Sequence, residues 1–120
     1  MISGQKKIFV VYSTRDLYVN EKSLLRIYKD LQKFGKVFID IIHNKSVNKQ
    51  KYVLKKLDES SHIVIVDSPK IKESEWAQLE IKIAKSQNKE ILGYYKPVFI
   101  KDKIEFEFTE TQFSNGLNFD

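Results

Sequence analysis

Apolar and polar positions alternate in two rhythms along this chain. Residues 7–13, KIFVVYS, form an unbroken apolar run rich in β-branched and aromatic side chains, the pattern of a strand covered on both faces. After the polar loop TRDLYVN the period lengthens. Leu24, Ile27, Tyr28, Leu31 and Phe34 recur at helical spacing from Glu21 onward, and Gly35 stands where a helix C′ residue belongs. KVFIDII, residues 36–42, predicts a second buried strand, followed by the polar loop HNKSVNK. Residues 50–60 predict a shorter helix with Val53, Leu54 and Leu57 inward, and SHIVIVDS a third strand. Ser74 is placed to N-cap a helix reaching about Asn88, with Trp76, Ala77, Ile81 and Ala84 on one face. EILGYY, residues 90–95, reads as a fourth strand. From Pro97 the alternation of Ile104, Phe106 and Phe108 predicts one or two edge or antiparallel strands, and TETQFSNGLNFD reads as a loop or loosely docked end.

Strands alternating with helices over short connections predict right-handed βαβ units. The expected architecture is α/β, a flavodoxin-like three-layer sandwich with a mainly parallel sheet. At 120 residues the chain predicts a single domain spanning 1–120, with a core at 7–95 and edge strand or strands and a tail at 96–120. Ligands of such folds bind outside the carboxyl ends of the strands. The loops after Ser13, Ile42 and Ser68 and the helix beginning near Ser74 are therefore expected to share one edge.

Composition narrows the chemistry. With no cysteine and only His43 and His62, thiolate nucleophiles, disulfides and most metal sites are poorly supplied, so carboxylates and hydroxyls are the available catalytic groups and no metal is expected. No apolar run reaches the roughly 18 residues of a membrane span, and MISGQKK lacks the features of a signal peptide, which predicts a cytoplasmic protein without a membrane partner. A net charge of +5 raises nucleic acid as a partner, but lysines are interspersed with acids along every segment and the only arginines are Arg15 and Arg26. That pattern describes solvated faces and argues against nucleic acid.

One constellation stands out. Helical spacing puts Trp76 and Glu80 on the same face, in the first two turns of a helix whose N-terminus points at the expected ligand edge. A partly desolvated carboxylate beside an indole can hold ribose hydroxyls and stabilise an oxocarbenium ion as an N-glycosidic bond breaks. Spacing alone fits a core tryptophan and a rim acid better, and with Glu80 at the surface edge of the helix Glu80→Ala is expected to remove any activity while changing stability by little more than about 0.5 kcal/mol.

The segment IVIVDSPKIKESEWAQLEIKIA resembles the third strand, loop and following helix of TIR domains, through Ser68, Pro69, Ser74, Trp76, Glu80 and Ala84. IFVVYSTRD is similar to the family's first strand and loop through Phe9, Tyr12, Ser13 and Asp16, and KVFIDI to its second strand through Asp40. The resemblance covers about residues 7–95. It implies a TIR-like NAD+ nucleosidase that cleaves the nicotinamide N-glycosidic bond to give ADP-ribose or a cyclic or conjugated ADP-ribose signal, in prokaryotic anti-phage signalling. It further implies Glu80 as the catalytic residue and Tyr12, Ser13, Trp76, Asp16, Asp40 and Ser68 as substrate-binding residues. NAD+ would be the substrate, with no separate cofactor. The implied partners are further copies of the chain through TIR–TIR contacts and a separate effector or sensor protein. The loop HNKSVNK lacks the Pro-Gly common in the family, and the family's final helix is not evident in the tail. Two other readings fit the same layout: a non-catalytic TIR protein-interaction module, and an enzyme similar to nucleoside 2-deoxyribosyltransferases, whose helix-borne glutamate is a nucleophile.

Overall fold

The computed structural model describes residues 5–111. Five strands, β1 (Lys6–Val11), β2 (Gly35–Phe38), β3 (His62–Val66), β4 (Glu90–Ile100) and β5 (Lys103–Glu110), form one sheet in the order β2-β1-β3-β4-β5. The first four run parallel, and β5 pairs antiparallel with β4. Helices α1 (Glu21–Leu31), α3 (Lys49–Glu59) and α4 (Glu75–Ser86) cover the sheet, and a single helical turn, α2 (Asp40–His43), follows β2.

The continuous apolar runs of β1 and β3 are explained by burial on both faces. Ile8 and Val10 of β1 and Val64 and Val66 of β3 pack with Leu24, Ile27 and Leu31 of α1. Phe9, Val11, Ile63 and Ile65 point the other way, against Val53 and Leu57 of α3 and Ala77 and Ala84 of α4. Burying each such side chain contributes about 1.5–3 kcal/mol, so the three-layer arrangement is where the chain's apolar residues place it.

Four details depart from the sequence expectations. Helix α1 ends at Leu31, with Gln32 at the C-cap, so Gly35 does not terminate it. Gly35 instead opens β2, where a Cβ would run into the Lys6 carbonyl oxygen of the neighbouring strand. The second strand stops at Phe38 rather than continuing to Ile42, because the backbone turns helical at Asp40 and its amides find side-chain acceptors. The Ile39 N–H donates to His43 Nδ1 at 2.9 Å and the Ile41 N–H to the Tyr12 hydroxyl at 3.0 Å. In α3, Leu54 is 38% exposed and only Val53 and Leu57 face the core. Finally, β4 runs past Tyr95 to Ile100, and beyond Tyr95 it pairs only with β5, so Pro97 interrupts no second ladder.

The β4–β5 hairpin turns the alternation in the tail onto the α1 side of the sheet. Phe106 meets Tyr18 at 5.9 Å between ring centroids, and Phe108 meets Tyr95 at 4.9 Å and Phe34 at 5.7 Å. Tyr95 is buried, and its hydroxyl donates to Asp30 of α1, tying hairpin to helix. Tyr95→Phe is expected to destabilise the protein by about 1 kcal/mol, read as a lower midpoint in urea with an unchanged slope. The rest of the expected tail, residues 112–120, lies outside the described residues. No helix among the described residues is long and apolar enough to cross a membrane.

Candidate active site

Helix α4 begins at Ser74, whose side chain accepts the Ala77 N–H at 3.1 Å. That cap fixes the first turn, and helical spacing then carries Trp76 and Glu80 toward the carboxyl ends of β1 and β2. There, Phe9, Val10, Tyr12, Ser13, Thr14, Arg15, Asp40, Ser74, Trp76 and Glu80 line a cavity of about 340 Å³. Five of the seven expected site residues thus come together: Tyr12, Ser13, Asp40, Trp76 and Glu80.

Glu80 does not sit on the helix rim. It is 5% exposed, on the same buried face of α4 as Ala77 and Ala84. Burial, then the charge of Asp40, push its pKa up to about 8, while the polar edge of the Trp76 side chain pulls it down. Removing Glu80 therefore alters a buried, pH-dependent group, and the small cost expected of a surface substitution does not apply. Tyr12 lies beside both acids: burial first, then Asp40, and lastly Glu80 raise its pKa well above the ordinary tyrosine value, against the Ile41 N–H bond that lowers it. Its hydroxyl remains neutral, holding α2 in place. Asp40 is the first residue of that turn and is tied to Asn44, whose side-chain amide donates to it at 2.7 Å.

The other two expected site residues are outside the cavity lining. Asp16 is buried, and its carboxylate accepts the Lys70 N–H at 2.7 Å, which latches the loop after β1 to the 3₁₀ turn Pro69–Glu73. Ser68 is 1% exposed, and its hydroxyl has no hydrogen-bond partner among the described residues. Ser13 lines the cavity while its Oγ accepts the Arg15 N–H at 3.2 Å, so it also sets the turn. Sequence reasoning missed Thr14 and Arg15. Their position directly after the first strand, at the edge where ligands bind, was the available signal.

Two carboxyl groups, Asp40 and Glu80, and three aromatic side chains, Phe9, Tyr12 and Trp76, around one cavity form a site suited to a cationic, partly planar group. The interaction between the acids is testable. Asp40→Asn is expected to lower the Glu80 pKa below about 8 while leaving it above 4.5, because burial remains the larger cause. Titration of the Glu80 carboxyl carbon by NMR reads this directly, and an unmoved pKa would mean that the two acids do not interact. No protein-family model matches this chain, and no curated protein matches it.

Proposed function

We propose that this protein is a TIR-like NAD+ nucleosidase on a flavodoxin-like scaffold whose fourth strand continues into the β4–β5 hairpin. The observation that carries this reading is Glu80, buried beside Trp76 and Tyr12 in a cavity at the carboxyl ends of the strands. A cavity of about 340 Å³ is at the small end of ligand sites and suits the nicotinamide riboside end of the dinucleotide, with the rest of the molecule leading out past Arg15. Arg15 is exposed at the lining and is the group able to meet the pyrophosphate.

Cleavage breaks the bond between the ribose C1′ and the pyridinium nitrogen. The electron pair leaves with nicotinamide, which becomes neutral, and positive charge passes to the ribose. The ionised Glu80 carboxylate stabilises that oxocarbenium ion more than the ground state, because the charge moves toward it as the bond breaks. Water then adds to C1′ and releases a proton, giving ADP-ribose. Attack by a group of the substrate itself would give a cyclic product instead. Trp76 and Tyr12 wall the planar leaving group and exclude water from the carboxylate. A cytoplasmic setting, signalling through the product and control by self-association or a separate sensor belong to the same reading.

Because only ionised Glu80 acts, kcat/KM is expected to rise with pH through about 8, the value in the free protein. The bound pyridinium cation favours the carboxylate, so kcat should level off at lower pH than kcat/KM. A profile that is flat or falling from pH 6 to 9 would contradict this assignment. The direct test is incubation of NAD+ with the protein over a range of protein concentrations, with products identified by mass. Nicotinamide and an ADP-ribose species are the expected products.

A non-catalytic interaction module is favoured by one separate feature. The hairpin tip exposes Phe99 and Ile100, which are 65% and 48% accessible, and these are residues suited to contact with another protein. Intact NAD+ at every protein concentration, together with self-association lost in Phe99→Ser, would support that reading.

A further inference from the structure

A second cavity, also about 340 Å³, lies on the same side of the sheet, between the edge strand β2 and helix α3. Its origin is a gap in the covering layer. Helix α3 packs on β1 and β3 through Val53 and Leu57, and the inner side of β2 is left partly open. Phe38, Tyr52 and His43 line the opening. Phe38 stacks on Phe9 at 5.6 Å, meets His43 at 5.9 Å, and meets Tyr52 edge-on at 6.0 Å, so the three rings make a firm aromatic wall.

The rim is cationic. Lys7 and Lys36 are register partners on adjacent parallel strands, and both line the cavity with Lys56 of α3. Like charges side by side across a sheet are unfavourable unless something neutralises them. Among the described residues Glu59 is the one acid of the lining and lies 3.6 Å from Lys56, which leaves the Lys7–Lys36 pair without a counter-charge from that lining. His43 accepts the Ile39 N–H at Nδ1, so its neutral ring carries the proton on Nε2 and adds a donor to the wall.

We infer that this cavity is a second ligand site, taking a small planar ring that carries an anionic group, of which an aryl phosphate is the simplest form. The ring lies against Phe38 and Tyr52, and the anion meets Lys7, Lys36 and Lys56. The lining separates it from the first site, where two acids, Asp40 and Glu80, stand with Arg15 as the single cationic side chain of the cavity. Phe9 lines the first cavity and Phe38 the second, so their stacked pair is the partition between the two. The site is independent of whether Glu80 cleaves NAD+.

The test uses phenyl phosphate titrated into the isotopically labelled protein, with backbone amide shifts read by NMR. Saturable binding with a dissociation constant of about 1 mM or tighter is expected, a threshold worth about 4 kcal/mol. The shifts should centre on residues 36–38, His43, Tyr52 and Lys56. The double variant Lys36→Gln, Lys56→Gln should weaken binding at least about tenfold, and Tyr52→Leu should bring phenyl phosphate down to the affinity of inorganic phosphate alone. These substitutions are at partly or fully exposed side chains, and retained amide dispersion confirms folding. Absence of saturation, shifts centred on Glu80 and Trp76, or unchanged affinity in the double variant would each overturn the proposal.

Discussion

Glu80→Gln is expected to reduce nicotinamide release from NAD+ by at least about a hundredfold while making the folded protein more stable at alkaline pH. The loss of rate follows from removing the carboxylate assigned to meet the developing ribosyl cation, an effect typically of 10²–10³ for a preorganised electrostatic group. The gain in stability follows from burial. Glu80 titrates near 8 in the folded protein against 4.5 as a free side chain, so folding favours its protonated form. Below pH 4.5 the acid is neutral in both states and its burial is cheap. As pH rises toward and past 8, that advantage is lost and the buried charge weighs against folding. Glutamine keeps the shape and never ionises. The variant should therefore match the wild type near pH 4 and exceed it above pH 8, by an amount of order 2 kcal/mol and bounded at about 5 kcal/mol by the separation of the two values. A thermal melt at both pH values reads this. Equal stability of the two proteins at alkaline pH would show that Glu80 is solvated. The same reasoning makes glutamine a cleaner replacement than alanine, which would also open a void in the packed face of α4.

Gly93→Ala is expected to destabilise the protein by about 3 kcal/mol, lowering the melting temperature by roughly 10–20 °C. A Cβ at this position would stand 2.6 Å from two ring atoms of Phe108 and 2.6 Å from the Thr109 carbonyl oxygen. The ring can move only by leaving Tyr95 and Phe34, and the carbonyl belongs to the strand that pairs with β4. Shrinking the ring in Gly93→Ala, Phe108→Leu should therefore restore part of the loss and not all of it, since the backbone clash remains. A melting temperature within about 2 °C of wild type would mean that β5 does not lie against β4 as described.

The core layers were legible because β1 and β3 are buried on both sides and leave no alternation to misread. The amphipathic stripe of α1 was equally plain, from Leu24 to Leu31. Boundaries were less legible where a side chain decided them. KVFIDII has the composition of one strand, yet an imidazole from His43 and a hydroxyl from Tyr12, 29 residues away from the amide it holds, convert its second half into a helical turn. Gly35 reads as a helix stop in one dimension and as a close approach between strands in three. In the candidate site, the spacing of Trp76 and Glu80 predicted their shared face, but the depth of Glu80 comes from the sheet packed against it, which no local pattern records. Asp16 and Ser68 were grouped with the site because they lie in its loops. The structure gives Asp16 to the Lys70 amide and encloses Ser68, and neither lines the cavity.

The proposal that Glu80 is the catalytic carboxylate of an NAD+-cleaving pocket meets its most direct test in the rate of nicotinamide release by wild type and Glu80→Gln, compared side by side at a pH above 8. Release by the wild type that falls at least about a hundredfold in the variant is the predicted result. Equal release by the two proteins, or no release by either at any protein concentration, would contradict it.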